Sequence, residues 1–402
     1  MVNALPSFSH RGNPLLIYGR GVLAQVPQYV PPNQPVLVLT GRHFASCPQW
    51  DSLEASLLTR CGHVIRETIT GEPSPEVVDA LTKLAQDSQV AAVVAVGGGS
   101  VLDAGKAVAA MVLHPEGVQN YLEGVGTLQP TEKTLPLIAV PTTAGTGSEA
   151  TKNAVVSQVG TSGFKKSLRH DAYVPPVAIL DPDLAISTPS GITISCALDA
   201  LSQLLEAFTS TKATPMSDAA ARQGLHHFAV GSRLFQKNLF GSDEEVNLRG
   251  ELSLAAYCSG LALANAGLGT VHGMAGVLGG LQSIPHGTAC GLLVAPVFQK
   301  IIQSLNRCED GATLVMNQNT LIERLQDVMR LVFQDTKSYQ STHFHHFEEQ
   351  LHQWSQTLPG LRHYGFDEEQ LKQVAKDSGN KNSPVSFDEA MRFEILCSVL
   401  KK

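Results

Sequence analysis

Asp199 and Gln203 stand four residues apart in the stretch DALSQLLEA (199–207). In a helix, that spacing puts a carboxylate and an amide on one face, one turn apart. Such a pair is half of a metal site, an inert polar pair on a buried helix, or a site that has lost a ligand. Further along, VHGMAGVLGGLQSIPHG carries His272 and His286, each followed by glycine, in a segment too apolar to be a solvated face. A lone buried histidine is most often a hydrogen-bonded structural residue. With Asp199 added, one hard oxygen and two imidazoles become available. Three protein ligands plus an open position is the arrangement of catalytic divalent sites. Spacing alone does not establish that the three converge.

A second chemistry is written in glycine and threonine. AVGGGSVLDAGKAVA places Gly97, Gly98 and Gly99 directly after an apolar strand pattern and directly before a helical one. Glycines let backbone N–H groups approach an anion closely, and a helix N-terminus adds partial positive charge. Ser100 is expected to cap the helix, with Asp103 in the capping-box position. The bland alternative is a tight turn that needs small residues. The later loop AVPTTAGTGSEAT also follows a strand and offers the hydroxyls of Thr142, Thr143, Thr146 and Ser148. Two phosphate-type loops at the carboxyl ends of parallel strands define a crevice in which α/β sheets bind ligands. A pyrophosphate with two riboses would use both. The G-x-G-x-x-G fingerprint is absent.

The strand VLVLTGRHF ends in Thr40, Gly41 and Arg42. NAD-selective dehydrogenases commonly place an acid there, which repels a 2′-phosphate by about 4 kcal/mol at roughly 4 Å and an effective dielectric near 20. Gly41 repels nothing, and Arg42 can pair with the phosphate, which points to NADP over NAD. Arg42 reads equally well as a surface arginine.

These groups need elements to hold them. The runs 35–40, 63–70, 90–96, 135–143 and 176–182 are short, apolar and β-branched, with helical patterns between them. One such helix spans 74–88, with Ser74 as cap, Pro75 in its first turn, and Val77, Leu81 and Leu84 on one face. Strands alternating with helices predict a largely parallel sheet covered on both sides. Beyond about residue 187 the strand signals stop, and 192–210, 243–267, 321–335 and 387–402 all have helical period. The expectation is an α/β dinucleotide-binding domain over residues 1–187 and an all-helical metal and substrate domain over residues 188–402.

Bulk properties agree with a two-domain globular protein: 402 residues, 43% hydrophobic and 16% charged. A net charge of −7 without any dense Lys/Arg block argues against nucleic acid as a partner. The apolar run at 90–113 is broken by three glycines, Asp103, Gly105 and Lys106, so no membrane span is expected, and the N-terminus shows no signal-peptide pattern. Seven scattered cysteines without a C-x-x-C suggest reduced thiols and a cytoplasmic location. The histidine clusters LHHF (225–228) and HFHHFEE (343–349) read as surface or helix-packing residues.

Taken together, GGGSVLDAGKA, PTTAGTGSEAT, FKKSLRHDAYVPPVAILDPDL, DALSQLLEAF, GTVHGMAGVLGG, PHG and NKNSPVSFDEA resemble the iron-containing (group III) alcohol dehydrogenase family, in its order and spacing, over essentially the whole chain. The resemblance implies the dehydroquinate-synthase-like fold and hydride transfer between an alcohol or aldehyde and NAD(P). It further implies a divalent metal, Fe2+ or Zn2+, that polarises the oxygen. Lys165 and Leu184 in the third motif join the cofactor-binding set by the same resemblance, and a homodimer is expected. The family's metal ligands are an Asp, a His four residues later, and two further His. Asp199, His272 and His286 carry over; the second ligand does not, and Gln203 stands in its place, expected at the fourth corner of the metal site, close enough to coordinate or to hold a water. Many members also have a His four residues after the third ligand, where this chain has Gly276. Related glycerol dehydrogenases resemble a three-ligand version with zinc. Three readings stay open: a metal-assisted NAD(P)-dependent alcohol dehydrogenase or aldehyde reductase; a metal-independent or non-redox relative, such as a maleylacetate reductase or a dehydroquinate synthase; and a nucleotide-binding protein without catalysis.

Overall fold

The computed structural model describes residues 7–160, 163–306, 310–333 and 342–400. The first half contains strands β1 (Leu15–Tyr18), β2 (Val36–Gly41), β3 (Val64–Ile69), β4 (Ala92–Gly97), β5 (Leu137–Pro141), β6 (Asn153–Gln158), β7 (Phe164–Arg169) and β8 (Val177–Leu180). Helices α1 (Pro48–Cys61), α2 (Pro75–Asp87) and α3 (Gly99–Met111) connect the early strands. Six strands form one sheet in the order β1-β8-β5-β4-β2-β3, and every pair in it is parallel. Strand β4 is buried along its whole length, and β2 and β5 are buried except at their last residues, Gly41 and Pro141. Continuous apolar runs such as VLVL and AVVAV are what a sheet covered on both faces requires.

Parallel pairing brings all the carboxyl ends to one edge. From β2 the chain runs outward to β3, then returns to β4 and proceeds the other way, so the order reverses between β2 and β4. The loops after these two strands carry Gly41 and Gly97–Gly99, at the switch point where open α/β sheets hold ligands.

Two local expectations are corrected. Helix α2 is capped by Ser74, whose Oγ accepts from Val77 N at 3.4 Å, but its buried face is Val78, Leu81 and Ala85, with Val77 41% exposed. Helix α3 is capped by the backbone of Gly98, not by Ser100, because the helix already begins at Gly99. Asp103 is therefore free of any capping box and accepts from Ser148 Oγ at 2.6 Å.

The second half holds α4 (Ser190–Phe208), α5 (Pro215–Gly231), α6 (Arg233–Gln236), α7 (Glu245–Ala266), α8 (Thr270–Leu281), α9 (His286–Asn306), α10 (Gln318–Phe333), α11 (Thr342–Ser355), α12 (Glu368–Asp377) and α13 (Glu389–Ser398). It is helix-rich rather than all-helical: β9 (Ala312–Leu314) and β10 (Val385–Phe387) form a short antiparallel ladder. Each has only three residues, too few for an alternation to stand out from its surroundings. Two further strands, β6 and β7, pair as an antiparallel hairpin apart from the main sheet.

Helices α4 and α9 are apolar and long enough to cross a membrane, yet 78% and 83% of their apolar windows lie inside the fold. They form the centre of the helical core, with α5 and α7 packed around α4. Between α7 and α8 the axis turns by 100° at Gly267–Gly269, where Gly267 has φ +73°. A side chain is strained in that conformation, so glycine makes the corner that aims α8 inward.

Candidate metal and dinucleotide site

Between the carboxyl edge of the sheet and the helical half lies a cleft of about 1630 Å³. Gly98, Gly99 and Ser100 line it from the first loop, and Thr143, Thr146 and Ser148 from the second. The size exceeds the usual several hundred Å³ of small-molecule pockets and suits a dinucleotide together with a substrate.

The two loops interlock. A Cβ on Gly99 would stand 2.7 Å from Thr146 Cγ2, and one on Gly97 would stand 2.4 Å from Val101 Cγ2, so neither position tolerates a side chain without movement. Thr142 N donates to Gly97 O at 2.9 Å, which ties the loops by backbone. Beneath them Lys106, 1% exposed, donates to Ser148 O and Thr151 Oγ1, both at 2.9 Å, and pairs with Asp103 at 3.3 Å. Burial lowers its pKa, and the Asp103 carboxylate works in the opposite direction. Lys106 holds the second loop in shape. The Ser148 hydroxyl donates to Asp103 at 2.6 Å.

Of the other expected cofactor residues, Lys165 lines the cleft, whereas Leu184, Gly41 and Arg42 do not. Leu184 sits in a 3₁₀ turn (Pro182–Ala185) and is packed into the core of the first half, not the cleft. Gly41 and Arg42 lie at the end of β2, outside the cleft lining; Arg42 is exposed, and Gly41 lies beside Val101, which does line the cleft. Lys165 lines the cleft and pairs with Glu72, which also accepts from Ser157 Oγ at 2.7 Å. Burial would raise the Glu72 pKa, but the Lys165 ammonium and the Ser157 hydroxyl outweigh it and lower it.

At the helical wall the three expected ligands converge. Asp199 is in the middle of α4 and 1% exposed, His272 is in the first turn of α8, and His286 opens α9 after Pro285. His272 Nε2 is 3.3 Å from Asp199 Oδ1, and His286 Nε2 is 4.0 Å from the same oxygen. A fourth donor joins them: Cys290 Sγ is 3.5 Å from His272 Nε2 and 3.7 Å from His286 Nε2. All four donor atoms lie within 4.8 Å of one another. One carboxylate oxygen, two imidazole nitrogens and one sulfur suit a borderline divalent ion, and the residues present therefore fit a metal.

Ionisation already suits two of the four donors, Asp199 and His286; the other two would give up a proton on binding a metal. Burial would raise the Asp199 pKa, but His286, His272 and Cys290 outweigh it and bring it down to about 2. Burial and the nearby Lys165 charge push His286 down to about 4, which leaves its imidazole neutral with a lone pair to give. Burial pushes the Cys290 thiol up to about 11 in the metal-free chain. For His272, burial opposes the charged form, yet Cys290, Asp199 and Glu206 prevail and raise its pKa.

Glu206 orients this centre. It lies two turns after Asp199 on α4, is 4% exposed, and accepts from His272 Nδ1 at 2.7 Å and from Val271 N at 2.6 Å. The first bond fixes a proton on Nδ1 and turns Nε2 toward Asp199, the carboxylate–histidine pairing typical of metal sites. The second satisfies an N–H at the start of α8, where a negative charge is also favoured by the helix dipole.

Gln203 lines the cleft one turn beyond Asp199, and its Oε1 is 2.6 Å from Ser259 Oγ on α7. At Gly276 a Cβ would meet nothing within 4 Å, so the place of the family's additional histidine is open space. The histidine clusters stay outside the site: His226, His345 and His346 are exposed, and His227 is half-buried against Glu251 at 2.7 Å.

Sequence reasoning missed Cys290 and Glu206. Both were within reach of the one-turn spacing test: Cys290 follows His286 by four residues, and Glu206 extends the Asp199 face by two turns.

Residues 13–182 match the family model described as iron-containing alcohol dehydrogenase, and residues 193–402 match its C-terminal counterpart. The chain belongs to the iron-containing alcohol dehydrogenase family. Among the relatives, long-chain-alcohol dehydrogenase 1 of Geobacillus thermodenitrificans is 36% identical over 61% of this chain and 60% of its own length. Alcohol dehydrogenase 4 of Saccharomyces cerevisiae is 31% identical over 71% of this chain and 74% of its own. The matched stretch thus spans well under two thirds of the first curated relatives, at 60% and 56% of their lengths. The crystal structure of a 1,3-propanediol oxidoreductase superposes with a TM-score of 0.82 at 24% identity, covering 98% of this chain and 100% of that one, a likeness of fold. Gln203 and Gly276, the two positions where the sequence departs from the pattern its resemblance implied, both line the cleft.

Proposed function

We propose that this chain is an NAD(P)-dependent alcohol dehydrogenase or aldehyde reductase, with NADP favoured over NAD and a divalent metal held by Asp199, His272 and His286. One observation carries the reading: the three donors converge at a wall of the cleft that the two glycine and threonine loops line, with His272 and His286 facing it and Asp199 buried behind them. A metal bound there supplies Lewis acidity to the reacting oxygen. The remaining work falls to the chain. Gly98, Gly99, Ser100, Thr143 and Thr146 would hold a dinucleotide's pyrophosphate, with the α3 N-terminus favouring its charge. The Lys165–Glu72 pair fixes charge beside His286. Glu206 keeps His272 in one tautomer. A nicotinamide held by the two loops would supply the hydride acceptor or donor, and because Gly276 offers no imidazole the substrate's hydroxyl proton would leave by cleft water. The space at Gly276 admits a substrate bulkier than the histidine-bearing arrangement would.

The preference for NADP rests on Gly41, where no acid opposes a 2′-phosphate, and on the exposed Arg42 beside it. A cytoplasmic location is proposed from the free thiols, six among the described residues, and a homodimer from the general prevalence of two-fold assemblies. Small alcohols or aldehydes are the proposed partners, without nucleic acid or membrane.

The test is elemental analysis of protein purified without chelator, followed by an aldehyde panel with NADPH and NADH. Metal-dependent oxidation of NADPH is expected. Full turnover by metal-stripped protein, unaltered by His272→Ala, would replace this reading with a metal-independent reductase; dinucleotide binding without any turnover would leave a non-catalytic relative.

A further inference from the structure

We propose that Cys290 is the fourth protein ligand of the divalent metal and that Gln203 is not a ligand. The proposal rests on the metal-assisted reading above and specifies its donor set.

A buried cysteine is ordinarily a small hydrophobe with no role beyond packing. Cys290 differs in what its sulfur touches. It lies one turn after His286 on α9, so both side chains share a face, and that face meets α4 and α8 where Asp199 and His272 are presented. In a tetrahedral site with metal–sulfur bonds of about 2.3 Å and metal–nitrogen or metal–oxygen bonds of about 2.0–2.1 Å, sulfur and nitrogen stand about 3.6 Å apart and nitrogen and oxygen about 3.3 Å apart. The sulfur of Cys290 stands 3.5 Å from His272 Nε2 and 3.7 Å from His286 Nε2. The His272–Asp199 edge is 3.3 Å. Three of the six edges of the tetrahedron thus already have the expected lengths, and all six lie within 4.8 Å. A fourth, His286 to Asp199, is longer at 4.0 Å, and it belongs to the ligand with 25% of its side chain open to solvent and therefore room to turn.

Gln203 is the weaker claimant. Its amide is engaged by Ser259 at 2.6 Å. A neutral amide oxygen also competes poorly with a thiolate for a zinc-class ion, because soft sulfur donors select such metals. A chain that lacks the imidazole at 203 therefore completes its site from the opposite wall, with sulfur from α9. The donor set changes from the family's oxygen and three nitrogens to one oxygen, two nitrogens and one sulfur, which moves the site toward zinc. Zinc expands to five donors in its catalytic sites, so four protein ligands still admit chemistry.

The experiment uses the full chain, stripped of metal and reloaded with cobalt(II) as a coloured probe. One cobalt per chain with an intense near-ultraviolet sulfur-to-cobalt charge-transfer band is the expected result. Cys290→Ser should abolish the band and weaken cobalt binding by about tenfold or more. Gln203→Ala should keep both, as should Cys196→Ser, which removes the sulfur that lines the same cleft. X-ray absorption of the zinc-loaded wild type needs no variant and should show one sulfur at about 2.3 Å. One bound cobalt without the band, a band that survives in Cys290→Ser, or a zinc shell without sulfur overturns the assignment of Cys290 while the metal reading stands. A wild-type chain that binds neither ion overturns the metal reading and this assignment with it.

Discussion

Replacing Glu206 by glutamine keeps the length of the side chain and removes one of its two acceptor oxygens. Both are in use, one by Val271 N at 2.6 Å and one by His272 Nδ1 at 2.7 Å. However the new amide turns, its NH2 faces a buried N–H. If it faces Val271, a helix-start donor is left unsatisfied, at a cost of about 1–3 kcal/mol. If it faces His272, the imidazole proton is driven to Nε2, the atom that must be bare to bind a metal. Loss of such an outer partner typically weakens metal binding about 10- to 100-fold, which is about 1.4–2.7 kcal/mol and agrees with the hydrogen-bond estimate. Zinc affinity of Glu206→Gln, measured by chelator competition at neutral pH, should fall by that factor. The melting temperature of the metal-free variant and its dinucleotide affinity serve as controls for folding. Wild-type zinc affinity in a folded variant would refute the reasoning, because it would mean that His272 needs no partner to hold its tautomer.

Two further outcomes are expected. Gly41→Asp meets only Val101 Cγ2, at an ordinary 3.8 Å, so its effect is electrostatic; it should weaken NADPH by about 1–4 kcal/mol, toward the lower end at this half-exposed position, and spare NADH. Fluorescence titration showing equal losses for both cofactors would contradict the role given to this position. Glu149 is 2% exposed, and burial, only partly offset by backbone hydrogen bonding and by Lys106, raises its carboxyl to about 7 from 4.5. The folded chain then holds a proton that the unfolded chain has released, so this group's stabilising contribution is complete below about pH 4.5 and is lost as pH rises toward 7, by about 3 kcal/mol. Glu149→Gln should flatten that part of the pH–stability curve in chemical denaturation; an unchanged slope would show that Glu149 does not carry it.

Much of the architecture was legible in the residues because its signals are local. Runs such as VLVL at 36–39 and AVVAV at 92–96 are short, β-branched and apolar on both faces, as a strand buried in a parallel sheet requires. The three-glycine turn announced itself because close approach to Thr146 and Val101 excludes side chains. Asp199, His272 and His286 were legible as donor types in segments too apolar to be solvated. By contrast, β9 and β10 were too short to show a period, and Val78, not Val77, faces inward because the phase of α2 is set by the layer it packs on.

The sequence by itself determined which donors exist, which loops can lie against phosphate, and that no acid guards the end of β2. Tertiary structure decided which donors meet. Cys290 and His272 are eighteen residues apart and on different helices, and their 3.5 Å contact exists because α8 and α9 pack against one another. Glu206 is sixty-six residues from His272, and nothing in either segment names the other. Leu184 belongs to a family-like motif, yet packing takes it into the core. Periodicity reports which face of an element is buried. The identity of the neighbour on that face is set by how the helices cross, which is a property of the whole packed core.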